Sequence, residues 1–441
     1  IASAIMTPLS SWLASRYGRK LVMTTSALIF TLASLACGLA NSLPLMVVAR
    51  LIQGLSGAGL LPLGQATLMD INPPEKQGQA MAMAALGAML GPLSGPTLGG
   101  WLTDVASWRW VFLINIPFGL AAFAGLSLSL VEIREKNVGQ FDFFGFATIS
   151  LFLGAFQLMM DRGEQLNWFE SREIWIEASV AGLFAWLALV HMATARNTFV
   201  SGALFANWNF TLGCIISAIV GLVIFATIPI ITMMMQMQLG YSPLHAGIVS
   251  LPRGVGTAVG LFVVGRIMDR VDARLLVLIG TLCGAVGFFL SARISLAVEE
   301  VPLLIAGGFQ GLAGGLMLPP LSALVYSKLE PSLRNQGAAI YSLARNMGNS
   351  LGISAMQSSV IHADAAAGQR LIEGIRPDNP VLQYASPDFD FDSLQALATM
   401  GHAVGRQAAM VAVTETMWLA FVITMASLPL VFLMRTNKPA T

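Results

Sequence analysis

The chain has 441 residues, of which 56% are hydrophobic and 11% charged. That is less than half the ~25% charge usual in soluble domains, and it excludes a disordered chain or an ordinary soluble enzyme. Twenty-four Lys and Arg against 23 Asp and Glu leave a net charge of +1, so no basic footprint for nucleic acid is present.

Apolar runs long enough to cross ~30 Å of hydrocarbon recur at about 21–40, 44–69, 78–101, 110–131, 141–160, 174–194, 209–235, 245–265, 275–292, 302–326, 336–358 and 411–434. This predicts an all-α polytopic membrane protein with twelve full spans, its surroundings a lipid bilayer. Ile1–Ala14 is apolar but short, reaching only ~21 Å as a helix. It reads as the remainder of a span that begins upstream.

Alternate loops differ in basic charge. Fourteen Lys and Arg, from Arg16, Arg19 and Lys20 through Arg266, Arg270 and Arg274 to Arg435 and Lys438, fall on one side. Arg109, Arg162, Arg172 and Arg293 mark the short loops of the other. The positive-inside rule then predicts a cytoplasmic C-terminus. Trp101, Trp108, Trp110, Trp168 and Trp175 cluster at the opposite interface, as an aromatic belt does. With this polarity the partial helix runs inward, so one further helix precedes it and the total becomes fourteen.

The order of motifs repeats. Gln53-Gly54-Leu55-Ser56-Gly57 through Pro62 matches Gln310-Gly311-Leu312-Ala313-Gly314 through Pro319, an offset of 310 − 53 = 257. Arg16-x-Gly18-Arg19-Lys20 pairs with Asp269-Arg270-x-Asp272-x-Arg274 at 254, and Gln77-Gly78 with Gln336-Gly337 at 259. The two copies lie eight spans apart in chain order, an even step, so both point the same way. Parallel repeats about an axis along the membrane normal are the plan of two-bundle secondary transporters. The predicted organisation is an incomplete N-terminal bundle at 1–131, two inserted helices with linkers at 132–200, and a C-terminal bundle at 201–441 carrying a periplasmic loop at about 359–410.

Within the spans, Arg50, Arg253 and Arg345 are ionisable groups in apolar surroundings, and such groups face a bundle interior or a watery cavity. Every acid falls in a loop or an end turn, so an acidic partner for Arg50 is expected on the preceding helix. Arg345, Asn346 and Asn349, with Gln310, are the candidate polar groups of a substrate cavity. Gly87-x-x-x-Gly91-Pro92-x-x-Gly95-Pro96-x-x-Gly99-Gly100 sets small residues at four-residue spacing on one helix, with prolines that remove backbone donors. Cys37, Cys214 and Cys283 lie in apolar runs, and the four histidines form no metal spacing, so neither a disulfide framework nor a metal is expected. No glycine precedes any of the five lysines, which excludes a P-loop, and no cofactor motif is present.

Arg50-x-x-Gln53-Gly54, the Gly-Pro run and Arg16-x-Gly18-Arg19-Lys20 resemble signature motifs of the major facilitator superfamily. Trp108-Arg109-Trp110-Val111-Phe112-x-x-Asn115-x-Pro117, Phe141-Asp142, Leu251-Pro252-Arg253-Gly254 and Arg345-Asn346-x-Gly348 narrow the resemblance to its fourteen-helix drug:proton antiporters, the EmrB/QacA branch. Asp161-Arg162-Gly163-x-x-Leu166-x-Trp168-Phe169 and the large outer loop favour the EmrB-like side. The resemblance implies a major facilitator fold of two six-helix bundles plus two inserted helices, its first helix missing here and its second partial. It implies proton-coupled efflux of amphipathic drug-like compounds across a bacterial inner membrane, without an enzymatic reaction. Arg50, Gln53 and Gly54 would belong to the proton-coupling motif, and Gly87, Gly91, Pro92, Gly95, Pro96, Gly99 and Gly100 to the antiporter motif. Arg16, Gly18, Arg19 and Lys20, with Asp269 and Arg270 in the second copy, would form gating loops. A periplasmic adaptor and an outer-membrane channel would be partners. The family's gating loop often carries an acid where Ser15 stands. An exporter or facilitator of a specific metabolite, siderophore or lipid is the alternative within transport. A non-transporting membrane sensor is the alternative outside it.

Overall fold

The computed structural model describes all residues except 1, 74–75, 133–140, 196–197, 199, 269, 327–328, 331–332, 377, 380–392 and 436–441. Among the described residues the chain is helical and contains no strand. In order the helices are α1 (Ala2–Tyr17), α2 (Arg19–Leu39), α3 (Leu43–Gly57), α4 (Leu60–Ile71), α5 (Gln77–Val105), α6 (Trp110–Leu113), α7 (Asn115–Ser129), α8 (Phe143–Arg162) and α9 (Arg172–Thr194). They are followed by α10 (Ala203–Ala206), α11 (Trp208–Val220), a π-turn at Gly221–Phe225, α12 (Thr227–Met237), α13 (Pro243–Ile267), α14 (Ala273–Ser291), α15 (Glu300–Tyr326), α16 (Arg334–Glu373) and α17 (Leu394–Leu433). Counting α3–α4, α6–α7 and α11–α12 as single segments, each of the twelve expected spans falls on a helix, after α1. Ten of the segments are long and apolar enough to cross a membrane by length and composition.

Local chemistry sets the helix starts. Ser42, Asp142, Ser171, Asn207, Ser242, Asp272 and Ser393 each cap the helix that follows by accepting a backbone N–H. Between α1 and α2 the chain turns on one residue, Gly18, at φ 100°, a conformation side chains resist. The reversal in the Arg16–Lys20 loop therefore depends on a glycine.

Helices α1–α7 and α10–α17 form two bundles that meet along two seams, α1 on α16 and α5 on α13. Each seam pairs a helix from before the repeated motif with one from after it, exchanged between bundles, as a two-fold arrangement requires. The inserted hairpin α8–α9 touches both α1 and α16 through α8 and so covers the first seam. Trp12 of α1 packs against Phe141, ring centres 4.7 Å apart and planes tilted by 58°, and Ser350 of α16 donates to Gln157 of α8 at 2.7 Å. The largest apolar core sits in the second bundle around Phe210, Leu321, Val325 and Tyr341, with Met69 and Met81 reaching in from the first.

One difference from the sequence reading concerns 359–410. Most of it is helix: α16 runs on to Glu373 and α17 begins at Leu394, each helix having 40 residues. At ~1.5 Å per residue such helices are about twice as long as the hydrocarbon is thick. The described part of the segment is a helical extension of two spans, joined through residues 374–393. The connection's residues 377 and 380–392 lie outside the described residues.

Candidate substrate and coupling sites

The repeated motif builds the same contact twice. Gln53 Nε2 donates to Ser34 Oγ at 2.8 Å, tying α3 to α2. Gln310 Nε2 donates to Ser291 Oγ at 3.0 Å, tying α15 to α14. Both pairs are 19 residues apart and both partners shift by the same 257 residues (310 − 53, 291 − 34). This registers the duplication at the level of a single hydrogen bond. Gln310 is buried between its helices and is not among the residues that line the cavity between the bundles.

Arg50 stands one helical turn before Gln53 and donates from Nη1 to Gln53 Oε1 at 3.1 Å. Its guanidinium lies 4.4 Å from the centre of the Phe112 ring, a cation–π contact. Among the described residues no carboxylate pairs with it.

Between the bundles lies a cavity of about 240 Å³. Its walls are Leu61 and Gln65 of α4, Met81, Ala84 and Ala88 of α5, Phe225 of the π-turn, Leu318, Pro319 and Ser322 of α15, and Tyr341, Arg345, Asn346 and Asn349 of α16. The residues 345, 346 and 349 expected from sequence are thus brought together, one helical turn apart. Their position follows from a backbone-close crossing. A Cβ on Gly348 would fall 2.0 Å from the Ala218 carbonyl oxygen, one on Gly352 2.2 Å from that of Leu222, and one on Gly221 2.3 Å from that of Arg345. Small residues at 348 and 352 let α16 lie directly against α11 and its π-turn. Bulges of this kind free a carbonyl from the helix ladder. Here the Ile224 carbonyl accepts a hydrogen bond from Arg253 Nη2 of α13 at 3.0 Å. Sequence alone gave no signal for the bulge.

Gly348-Asn349-Ser350-Leu351-Gly352 matches in letters the G-x-S-x-G pattern of hydrolases. That pattern needs a strand–turn–helix elbow, whereas these residues lie within α16 and Ser350 is bonded to Gln157.

At the ends that carry the Arg-rich loops, Asp70 in the last turn of α4 holds two cations. Arg19 Nη1 of α2 lies 2.7 Å from one carboxylate oxygen, and Arg334 Nη1 of α16 donates to the other at 3.0 Å. Arg334 belongs to the second bundle, so this carboxylate clasps the bundles together. Of the expected gating residues, only Arg19 takes part: Arg16 and Arg270 are exposed, Lys20 is half-buried, and Asp269 lies outside the described residues. Asp70 and Arg334 were missed as a pair. The available signal was a lone acid in the end turn of a span, on the same side as the basic loops.

The Gly-Pro motif lies within α5, which runs unbroken through it. Cβ atoms added at Gly87, Gly91, Gly95 or Gly99 would meet nothing within 4 Å, while one at Gly100 would touch Pro243 of α13 at 3.9 Å. The glycine row leaves one face of α5 open. The side chains of Pro92 and Pro96 lie outside the described residues.

On the far side, Glu164 in the α8–α9 connection accepts from Trp168 Nε1 at 3.0 Å. Burial alone would raise its pKa, but hydrogen bonds from Ser358 and Trp168 and the nearby His362 hold the carboxyl below its usual value. The contact with Ser358 joins the inserted hairpin to α16.

Two bundles related by a repeat, a cavity fed by both and a clasp across their seam define a two-bundle membrane transporter. The model of the Major Facilitator Superfamily matches residues 1–224 and 213–362, and the chain belongs to that family. It is 29% identical to the multidrug export protein EmrB of Haemophilus influenzae over 426 residues, 95% of this chain and 83% of that one. It is 32% identical to the putative multidrug resistance protein MdtD of Yersinia enterocolitica over 360 residues, 80% of this chain and 74% of that one. Among solved structures, the human organic anion transporter MFSD10 superposes with a TM-score of 0.62 at 13% identity, covering 96% of this chain and 81% of that one, and so shares the fold.

Proposed function

We propose that the chain is a proton-coupled exporter of amphipathic organic compounds working by alternating access in a bacterial inner membrane. The cavity between the bundles is the substrate site, and the observation that carries this reading is that residues of α4 and α5 face residues of α15 and α16 across it. Rocking of the bundles about such a cavity exposes it to each side in turn. The Asp70 clasp, which joins α4 to α16, holds the Arg-rich end closed in this conformation. That end is cytoplasmic by its loop charge, together with the C-terminus, so the conformation is one that faces outward.

Arg50 is assigned to the coupling step. One of its donors is held by Gln53 and its face by Phe112, which leaves further donors for an acid that changes protonation. Gln53 and Gly54 complete the coupling motif by fixing Arg50 and by bringing α3 against α1, where a Cβ at Gly54 would lie 3.3 Å from Ala2. The open row of Gly87, Gly91, Gly95 and Gly99 gives α5 a smooth face for movement. Proton entry down the membrane potential supplies ~2.3 kcal/mol per charge per 100 mV. The helical extensions of α16 and α17 are where a periplasmic adaptor, and through it an outer-membrane channel, would be met. Purified protein in proteoliposomes should move an amphipathic dye outward only when a pH gradient is imposed. Transport that ignores the gradient, or is confined to a single metabolite, favours the facilitator reading.

A further inference from the structure

The central cavity holds a positive charge that nothing in the described protein balances. Arg345 is the one charged residue among the described residues that line it, and no described residue gives its guanidinium a hydrogen bond or an ion pair. The surroundings are otherwise apolar or neutral. Tyr341 is 1% exposed, and its hydroxyl, beside Ser217, reaches hydrogen-bonding geometry with no partner. The Asn349 side-chain oxygen is also buried without a partner. A second guanidinium, Arg253, reaches the Ile224 carbonyl next to Phe225 of the cavity wall, again without a carboxylate.

A cation in such a place is costly unless it is paired, and a planar guanidinium presents a fork that fits a carboxylate or sulfonate. Buried polar groups left without partners mark places where a ligand completes the hydrogen bonding. We propose, resting on the reading of this cavity as the substrate site, that it selects organic anions: a carboxylate or similar acid group seated on Arg345 and reached by the Tyr341 hydroxyl, with the apolar body against Met81, Phe225 and Leu318. Cationic amphiphiles of the same shape are rejected by the same charge.

The test compares three probes of one size, 2-naphthoate, 2-naphthol and (2-naphthyl)trimethylammonium, by equilibrium dialysis against the full chain in nanodiscs of neutral lipid. The expected result is naphthoate bound about ten-fold or more tighter than the ammonium compound. Arg345→Gln should remove the preference and Arg345→Lys should keep part of it, each variant melting within a few degrees of the parent. A parent protein that binds the ammonium compound as tightly as naphthoate overturns the proposal without any variant being needed. A folded Arg345→Gln that keeps the preference also overturns it. An anionic lipid headgroup shares this chemistry, and adding phosphatidylglycerol to the nanodiscs separates the sources: displaced naphthoate assigns the charge site to headgroups, and undisplaced naphthoate to a diffusible acid. Binding requires no pH gradient, so its outcome is independent of the transport assay. A protein that prefers anions but does not export sinks only the transport reading.

Discussion

The two copies of the Gln-Gly motif sit in equivalent places and make the same bond to a serine 19 residues earlier, yet they are not equivalent chemically. In the first copy Arg50 donates to the free oxygen of Gln53, and in the second the residue at the matching position is Gly307 and the oxygen of Gln310 is buried with no partner. The serine bond is therefore the part of the motif that the fold needs, since both bundles keep it. The arginine is the part added to one bundle. The cavity shows the reverse asymmetry: Arg345 belongs to the second bundle, and the residue 257 positions before it is Ala88, on the opposite wall. The frame repeats in both bundles, whereas Arg50 and Arg345 each stand in one bundle alone.

The largest effect should come from breaking the asymmetry at Arg50. Arg50→Ala is expected to lower pH-driven dye export in proteoliposomes by about 100-fold, the loss of a charge-assisted interaction of ~3 kcal/mol. Binding of the dye at equilibrium should change little, because Arg50 is not among the residues that line the cavity. Retained gradient-driven export would remove Arg50 from the mechanism. The complementary change, Gly307→Arg, should not restore export to that variant.

Next in size is a contrast between the two glutamines. Gln53 is satisfied at both ends of its amide, by Arg50 and Ser34. Gln310 is satisfied only at its nitrogen, and Ser291 keeps a second bond to the Gly287 carbonyl at 3.0 Å. Replacing a fully bonded buried amide costs about 1–3 kcal/mol, whereas removing one that already carries an orphan acceptor costs less. Gln53→Leu should therefore lower the melting temperature more than Gln310→Leu does, and only Gln53→Leu should also impair export. Equal losses would mean that the second copy's oxygen is satisfied in solution.

What the sequence made legible, and what it did not, follows the range of the interactions concerned. All twelve spans could be placed because insertion depends on the composition of about 20 neighbouring residues. The outer parts of α16 and α17 escaped because hydropathy detects the solvent and not the helix. Residues such as Ser358, His362, Asp364 and Gln369 are polar, and the alanines among them favour helix without being strongly apolar. Arg345, Asn346 and Asn349 were readable as polar groups in an apolar run. The same signal at Gln310 meant an interhelical brace, and nothing local distinguishes the two. Asp70 and Arg334 lie 264 residues apart, and only the seam between bundles brings them together.

That clasp gives a third, smaller effect. Asp70 comes from the first bundle alone, since Ser327 stands 257 residues later. The side chains of the two ion pairs are between 9% and 26% exposed, and together the pairs are worth about 1 kcal/mol after solvent screening. Asp70→Asn should shift the equilibrium toward opening at the Arg-rich end by roughly five-fold. A cysteine introduced at Ser322 in the cavity wall should then react faster with a charged thiol reagent added from that side. An unchanged rate would show that apolar packing along the seams, and not the clasp, keeps that end closed.

The smallest effect concerns the hairpin that covers the α1–α16 seam, and it tests which bundle the hairpin follows. Its polar contacts, Gln157 with Ser350 and Glu164 with Ser358, go to α16, whereas its contact with α1 is carried by packing such as Trp12 on Phe141. Because the folded-state pKa of Glu164 is depressed, its stabilising effect is fully present above the unfolded-state value of ~4.3 and is lost as pH falls through the lower folded value. Glu164→Gln should thus melt slightly below the parent at pH 7, by a degree or so. The gap should close as the pH falls through the depressed folded-state value, where the parent's carboxyl is itself protonated. A gap that persists in acid would mean that Glu164 acts through shape and not through charge. The anchoring of the hairpin to the second bundle would then rest on Gln157 and Ser350 alone.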